Sequence, residues 1–382
     1  MPVHIGSTVS RSLLAALEVW LWSGDLVPAA RVATVAEWVV ELSDLYTVER
    51  GVLARRQGDR EHLGAKLLYF LASDAPKVGL VLDECARRDP SFATARTIVD
   101  VGCGVGATSV GYLDWCAKRG QRGPFSLTGI DHSAAVLAIW TRVVAKAAEL
   151  AGIDVTLSTV CADAFQVPLP PTCDLVLCQT AFNERLARDG EYDAESFEVL
   201  LRWSRGVPVA VIEPALKTTT RALQRLRDRL LVAGGMHVVG PCPHDRPCPM
   251  LARPDDWCHE SRRIEPTPMV AAVQAITRRR DDRALYSFLA LVPGNRANSP
   301  EAHTWRLVSD ALGSRGKTER WTCRGNGELH LIRVLDRERS ECNALLVEAP
   351  RGEVVFVVPM PASDRIGPQV GAQLSRTVER AG

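Results

Sequence analysis

The stretch Thr97-Ile98-Val99-Asp100-Val101-Gly102-Cys103-Gly104-Val105-Gly106 constrains this chain more than any other. Ile98, Val99 and Val101 form a short apolar run suited to a parallel strand covered on both faces. Gly102, Gly104 and Gly106 then remove side chains where a tight turn must let backbone approach a ligand, and Ala107-Thr108-Ser109-Val110 opens a helix. The expected product is a strand, a glycine turn and a helix N-terminus facing a nucleotide-sized crevice.

Glycine turns of this kind serve nicotinamide, flavin and adenosylmethionine enzymes alike. The spacing here is Asp100-x-Gly102-x-Gly104-x-Gly106, with the acid at the strand end, rather than the Gly-x-Gly-x-x-Gly that suits a pyrophosphate. A second strand, Phe125 to Ile130, ends in Asp131, where a carboxylate can accept both hydroxyls of a ribose. The pair resembles the cofactor site of class I S-adenosylmethionine-dependent methyltransferases. That resemblance implies a cofactor held by Asp100, Gly102, Gly104, Gly106 and Asp131, with Asp163 after the third strand near the adenine amine and Gln179 at the end of the fourth. A solvated loop aspartate is the competing reading of Asp163, and a purely structural turn that of the glycine loop.

From Thr97 onward the pattern alternates strand and helix, the signature of a parallel sheet with crossovers. Helices are expected over about Ala107 to Lys118 and, capped by Ser133, to about Ala151. Further strands are read at Val155 to Val160, Cys173 to Cys178, Val207 to Ile212 and Tyr286 to Val292, with helices near Glu195 to Ser204 and from Ala215 to about Ala233. Residues 1 to 90 carry apolar positions at helical spacing and read as helices packed before the core. The expected class is α/β, a mostly parallel Rossmann-type core over 91–293 with a Cys-rich insertion at 236–262. A small β extension over 300–382 follows, after a linker from Pro293 to Pro300. Within it Gly327 to Val334, Ala344 to Glu348 and Val354 to Val358 read as strands, and Pro368 to Arg380 as a last helix.

With 382 residues, 46% of them hydrophobic, the chain can bury a full core. A net charge of +1 excludes global attraction to nucleic acid, so any such contact must be local. Only six of the 46 basic residues are lysine, an arginine bias that phosphate binding or a GC-rich genome would each produce. No apolar run reaches membrane-spanning length; Leu13 to Trp22 is too short and carries Glu18. The N-terminus has no charged region followed by a small-residue cleavage site and too few basic residues for an organellar transit peptide, so a cytoplasmic, bacterial setting is expected. In that setting the eleven cysteines are not expected to form disulfides, and clusters among them read first as metal or cluster ligands.

The most unusual stretch is Gly240-Pro241-Cys242-Pro243-His244-Asp245-Arg246-Pro247-Cys248-Pro249-Met250, followed by Asp256-Trp257-Cys258-His259. Repeated proline removes backbone donors, so something other than secondary structure must hold the loop. Metal-bound thiolates would do so. Structural zinc usually pairs ligands two to four residues apart; the wider spacing here, with its Cys-Pro steps, suits an iron-sulfur cluster better. A fourth ligand must come from elsewhere. Cys323, in a turn-rich segment ahead of a strand, ranks first and Cys342 second, while His244 or His259 would complete a Cys3His zinc site. The Cys-x-x-x-Cys-x-x-Cys of radical enzymes is absent, which separates any cluster from the glycine loop.

Taken in order, the glycine motif, Glu213-Pro214 after the fifth strand, Cys-Pro-His-x-x-x-Cys-Pro, Asp-Trp-Cys-His and a distal Cys before Gly-x-Leu resemble one family over roughly residues 60 to 340. It is the family of methyltransferase-like small-subunit ribosome assembly proteins, known in mitochondria and with bacterial members. The resemblance implies a methyltransferase core that binds S-adenosylmethionine. It also implies a four-iron, four-sulfur cluster on Cys242, Cys248, Cys258 and Cys323, and binding to small-subunit ribosomal RNA during assembly. Lys217, Arg221, Arg225 and Arg229 recur every four residues opposite Leu223, Leu226 and Leu230, a candidate phosphate-contacting stripe or a merely solvated face.

No Asn/Asp-Pro-Pro-aromatic motif follows the fourth strand; Gln179-Thr180-Ala181-Phe182-Asn183-Glu184 stands there, so amine methylation finds no recognisable machinery. Cys178 lacks the preceding proline and partner cysteine of a cytosine-methylating nucleophile. The alternative functions are a small-molecule methyltransferase with a structural metal site and a redox sensor that releases RNA on cluster loss. Neither a membrane partner nor an oligomeric state is indicated.

Overall fold

The computed structural model describes residues 10–24, 26, 30–47, 59–187, 189–278, 283–296 and 302–374. The chain divides into two compact units, one of Met1–Leu82, Ala95–Glu184 and Arg263–Ala284, the other of Asp83–Thr94, Arg185–Arg262 and Leu285–Gly382.

In the first unit the strands β1 (Thr97–Val101), β2 (Phe125–Asp131), β3 (Val155–Cys161) and β4 (Leu175–Gln179) lie in the order β3-β2-β1-β4, and all their pairings are parallel. Ile98, Val99 and Val101 are buried, as a strand covered on both faces requires. The crossover helices are Ala107–Lys118 and Ala134–Ala151. Ser133 caps the second by accepting the Val136 N–H, and Gly152 ends it in the left-handed region.

The leading segment is helical where described, with helices Ser10–Ser23, Val32–Thr47, Arg60–Ala65 and Leu71–Ala86, and a π-turn at Lys66–Phe70. Val35, Val39 and Leu42 recur at helical spacing and are fully buried. The helix Pro268–Thr277 packs on Val32–Thr47, and the buried Glu18 accepts from the Thr267 hydroxyl and the Met269 N–H at its start. The acid that interrupts the first apolar run is thus a helix cap supplied from a distance. Among the described residues no helix is long and apolar enough to cross a membrane.

In the second unit β5 (Val209–Pro214), β8 (Arg283–Pro293) and β6 (Met236–Gly240) lie in the order β5-β8-β6, with β8 antiparallel to both neighbours and β7 (Glu260–Arg263) added to it. The helices Ala194–Gly206 and Lys217–Ala233 flank β5 in sequence. The same unit holds a small antiparallel sheet of β9 (Thr304–Leu307), β10 (Leu312–Ser314), β11 (Lys317–Arg324), β12 (Leu329–Leu335), β13 (Val354–Val358) and β14 (Gly371–Leu374). Trp305, Leu307, Ile332, Val334, Val355 and Val357 form its core.

Two expectations for this extension are corrected. Ala344–Glu348 is a short helix, not a strand. Its Ala-Leu-Leu-Val-Glu composition is helix-favouring, and an apolar run this short carries no usable period. Within the stretch expected as a last helix, Gly371–Leu374 is a strand paired with Val355 to Val358, residues 368–370 are non-helical, and residues 375–380 lie outside the described residues. The expected linker from Pro293 to Pro300 lies partly outside them too. Strands β9, β10 and β11 leave no apolar period in the sequence: β9 and β10 are four and three residues long, and in β11 Thr318, Arg320, Thr322 and Arg324 take the buried positions.

Candidate cofactor crevice and cysteine cavity

At the carboxyl end of β1 the glycine loop takes left-handed backbone at Gly102 (φ 66°), Gly104 (φ 50°) and Gly106 (φ 106°). A Cβ on Gly102 would meet the Ala181 Cβ at 2.6 Å, so only glycine lets the loop after β4 pass. The Cys103 N–H donates to the Ile130 carbonyl at 3.0 Å, and the Gly104 N–H to Asp131 Oδ2 at 3.1 Å. Asp131 Oδ1 accepts the Ser133 N–H at 3.0 Å. Each oxygen keeps acceptor capacity, and the carboxylate is aimed by backbone on both sides.

Asp100 is 1% exposed; its Oδ2 accepts the Ser109 hydroxyl at 2.6 Å, and its Oδ1 has no partner. Burial pushes its carboxyl up to about 6 against the hydrogen bonds of Ser109 and Trp140. Asp100 therefore ties β1 to the first turn of the next helix. Gln179 is equally occupied, accepting from Thr108 at 3.3 Å and donating to the Asp74 carbonyl at 3.1 Å, and so acts as a brace. Asp163 is exposed and accepts the Phe165 N–H at 3.0 Å, which sets the Phe165 ring edge-on to Phe182. Thr180 has φ 57°, a left-handed conformation unusual for a β-branched residue, directly after β4.

In the second unit, Cys242, Cys248, Cys258 and Cys323 line one cavity together with His244, Arg227, Arg306 and apolar side chains. Cys323 comes from β11; Cys342 is exposed and is not part of the lining. Burial first, then the neighbouring thiols, raises the thiols of Cys248 and Cys323, and burial, then Glu260 and Cys242, raises that of Cys258. Among the described residues no group of three or more His, Cys, Asp or Glu is drawn together tightly enough to hold a metal ion as the side chains stand. The cysteines share a cavity rather than a contact.

His244 is fully buried, with Nδ1 3.1 Å from the Arg246 carbonyl and Nε2 3.3 Å from Cys323 Sγ. A carbonyl only accepts, so Nδ1 carries the proton and Nε2 faces the thiol as an acceptor. Burial, then Arg227, holds its pKa down at about 4. His259 is not in the lining; it stacks on Trp257 at 5.5 Å.

The side chains that hold this loop were not legible as such. Arg227 donates to the carbonyls of His244 and Arg246, and Asp228 accepts the Cys248 N–H at 2.8 Å. Arg306, opposite Cys323 in the β9–β11 register, pairs with Glu84 at 2.6 Å and Glu260 at 2.7 Å and donates to the Pro241 carbonyl at 2.7 Å. Arg227 did leave a signal, an arginine in the Leu223, Leu226, Leu230 stripe, whereas Arg306 left none.

The four basic residues of the stripe have partners within the chain. Arg221 donates to the carbonyls of Leu251, Arg253 and Asp256 at 2.8–3.0 Å, clamping the segment that leads to Cys258. Arg225 donates to the Gly190 carbonyl at 2.8 Å and pairs with Glu191. Arg229 lies 4.5 Å over the Phe197 ring and Lys217 is 3.4 Å from Asp255, and both remain exposed.

The strand orders β3-β2-β1-β4 and β5-β8-β6, the reversed β8 and the acid-glycine loop after β1 define the class I S-adenosylmethionine methyltransferase-like α/β fold. The profile of the mitochondrial small ribosomal subunit Rsm22 family matches residues 62–340, and the chain belongs to that family. Among solved structures it is similar to a putative class I methyltransferase from Listeria monocytogenes, at 12% identity over 77% of this chain and 89% of that one, with a TM-score of 0.40. It is also similar to the plantazolicin methyltransferase BpumL in complex with S-adenosylhomocysteine, at 13% identity over 68% and 100% of the two chains and a TM-score of 0.34. These are likenesses, and the fold assignment rests on the strand order itself. No curated protein gives a significant match.

Proposed function

We propose that this protein is an assembly factor of the small ribosomal subunit that binds S-adenosylmethionine in its first unit, carries a four-iron, four-sulfur cluster in its second, and contacts small-subunit ribosomal RNA. The observation that carries the reading is the convergence of Cys242, Cys248, Cys258 and Cys323 on one cavity, in a chain of the Rsm22 family. A single zinc ion would draw tetrahedral thiolates to about 3.8 Å of one another. A cubane, with its own width, spaces them farther apart, as a shared cavity allows. The buried, unpartnered Nε donors of Arg227 and Arg306 in the same lining suit a sulfur-rich, anionic occupant. Such a cluster would supply folding energy to the proline-stiffened loop and the capacity to hold one electron.

Support for the cofactor comes from the Asp131 carboxylate, held for a ribose by Gly104 and Ser133. No residue at the end of β4 is placed as a general base. Methyl transfer there would rest on positioning and exclusion of water alone, so binding is assigned as the role.

The test is anaerobic purification with iron, sulfide and zinc analysis of wild type, C323S and C342S, and calorimetric titration with S-adenosylmethionine. About four irons and four sulfides per chain, lost in C323S and kept in C342S, are expected. Stoichiometric zinc without sulfide would favour a methyltransferase with a structural metal instead. Absence of binding heat with both S-adenosylmethionine and S-adenosylhomocysteine would remove the cofactor.

A further inference from the structure

Arg227 lies on the apolar face of the helix Lys217–Ala233, 2% exposed, and its guanidinium lines the cysteine cavity. Its terminal nitrogens are spent on Asp228 and on the carbonyls of His244 and Arg246. Its Nε–H is buried with no partner. Leaving such a donor unpaired is costly, so an unpaired donor buried in a cavity lined by four cysteines implies an acceptor that fills the cavity. Arg306 presents a second unpartnered Nε, but its charge is answered by two carboxylates, Glu84 and Glu260, whereas Arg227 meets one, Asp228.

We propose that Arg227 is a positioning residue of the cluster site, donating its Nε–H to a thiolate or cluster sulfur and raising the reduction potential through its buried charge. The inference rests on the four-cysteine cluster reading above. The step concerned is the gain of one electron from a low-potential one-electron donor, dithionite in the test, with no bond made or broken and no proton moved. The site becomes one charge more negative, and a fixed guanidinium beside it favours that state.

The experiment uses the full chain, purified anaerobically with 15N-labelled arginine, and reads the dithionite-reduced protein by pulsed EPR. A coupling to arginine nitrogen is expected in wild type and is lost in R227K. In a dye-mediated redox titration, R227M at a fixed poise should hold about tenfold less reduced cluster, about 59 mV for one electron. R227K, which keeps the charge, should stay within about threefold of wild type. An intact cluster with no arginine coupling, or with a potential unmoved in R227M, overturns the inference and leaves the cluster standing. A coupling that persists in R227K belongs to Arg306 and overturns it equally. Wild-type protein without iron and sulfide overturns the cluster and the inference together. Should R227M fail to fold, the wild-type coupling decides.

Discussion

Asp100 occupies the acidic position of the glycine motif, yet its carboxylate is closed off from solvent and held by Ser109 and Trp140. Its pKa is raised from 3.8 to about 6 by burial. Below pH 4 both folded and unfolded forms hold the proton and the group is neutral in effect. Between pH 4 and 6 the unfolded chain ionises first, so stability falls as pH rises, and above 6 the penalty is complete at about 3 kcal/mol. D100N is therefore expected to gain about 1–3 kcal/mol at pH 7 and little at pH 4, read by urea denaturation. It should also weaken S-adenosylmethionine binding if the motif's acid matters to the loop, a trade of stability for function. Residue identity at this position was legible from spacing; the direction of its side chain was not, because the partner sits on the following helix.

At the scale of elements, β9 is held by a buried charge cluster. Burial works to raise the Glu84 carboxyl, but Arg306, Arg88 and the Arg306 hydrogen bond outweigh it and bring it down to about 2. Its pKa in the unfolded chain is higher, so this stability is fully present above pH 4.5 and is lost as pH falls toward 2. R306M leaves two buried carboxylates short of their shared cation, Glu84 with Arg88 and Glu260 with Arg262 as the remaining partners, and should cost about 3–5 kcal/mol at pH 7. The deficit should shrink at pH 4, where the under-compensated carboxyls take up protons; an equal loss at both pH values would contradict this. The β/α elements of the core were readable because a buried strand and an amphipathic helix leave different periods in sequence. The small sheet was read poorly. In Lys317–Arg324 the buried face carries Thr318, Arg320, Thr322 and Arg324, so no apolar alternation marks the strand, and Gly371–Leu374 is a strand only because β13 offers it an edge.

For the whole molecule, a net charge of +1 means that the RNA contact proposed above must rest on local patches. Lys217 and Arg229 are the stripe residues left exposed, so the K217A/R229A pair is expected to reduce the slope of log affinity against log salt for small-subunit RNA fragments by about 1–2. R221A should instead loosen the Cys258 segment and lower bound iron, since Arg221 is spent on three carbonyls there. An unchanged slope in the double variant would remove this helix from the RNA interface.

The amino-acid sequence by itself determined the core class, the glycine loop with Asp131, and the cysteines worth watching. Strand periods, left-handed turns and proline-stiffened cysteine spacing are local properties, written in neighbouring residues. Tertiary structure alone decided that Cys323 rather than Cys342 lines the cavity, that Arg227 and Arg306 reach it, and that Arg221 faces inward. Those outcomes depend on which distant strand or helix supplies the other half of each contact. A buried arginine and a solvated one are spelled the same way, and only the carboxylates and carbonyls brought around it by the fold tell them apart.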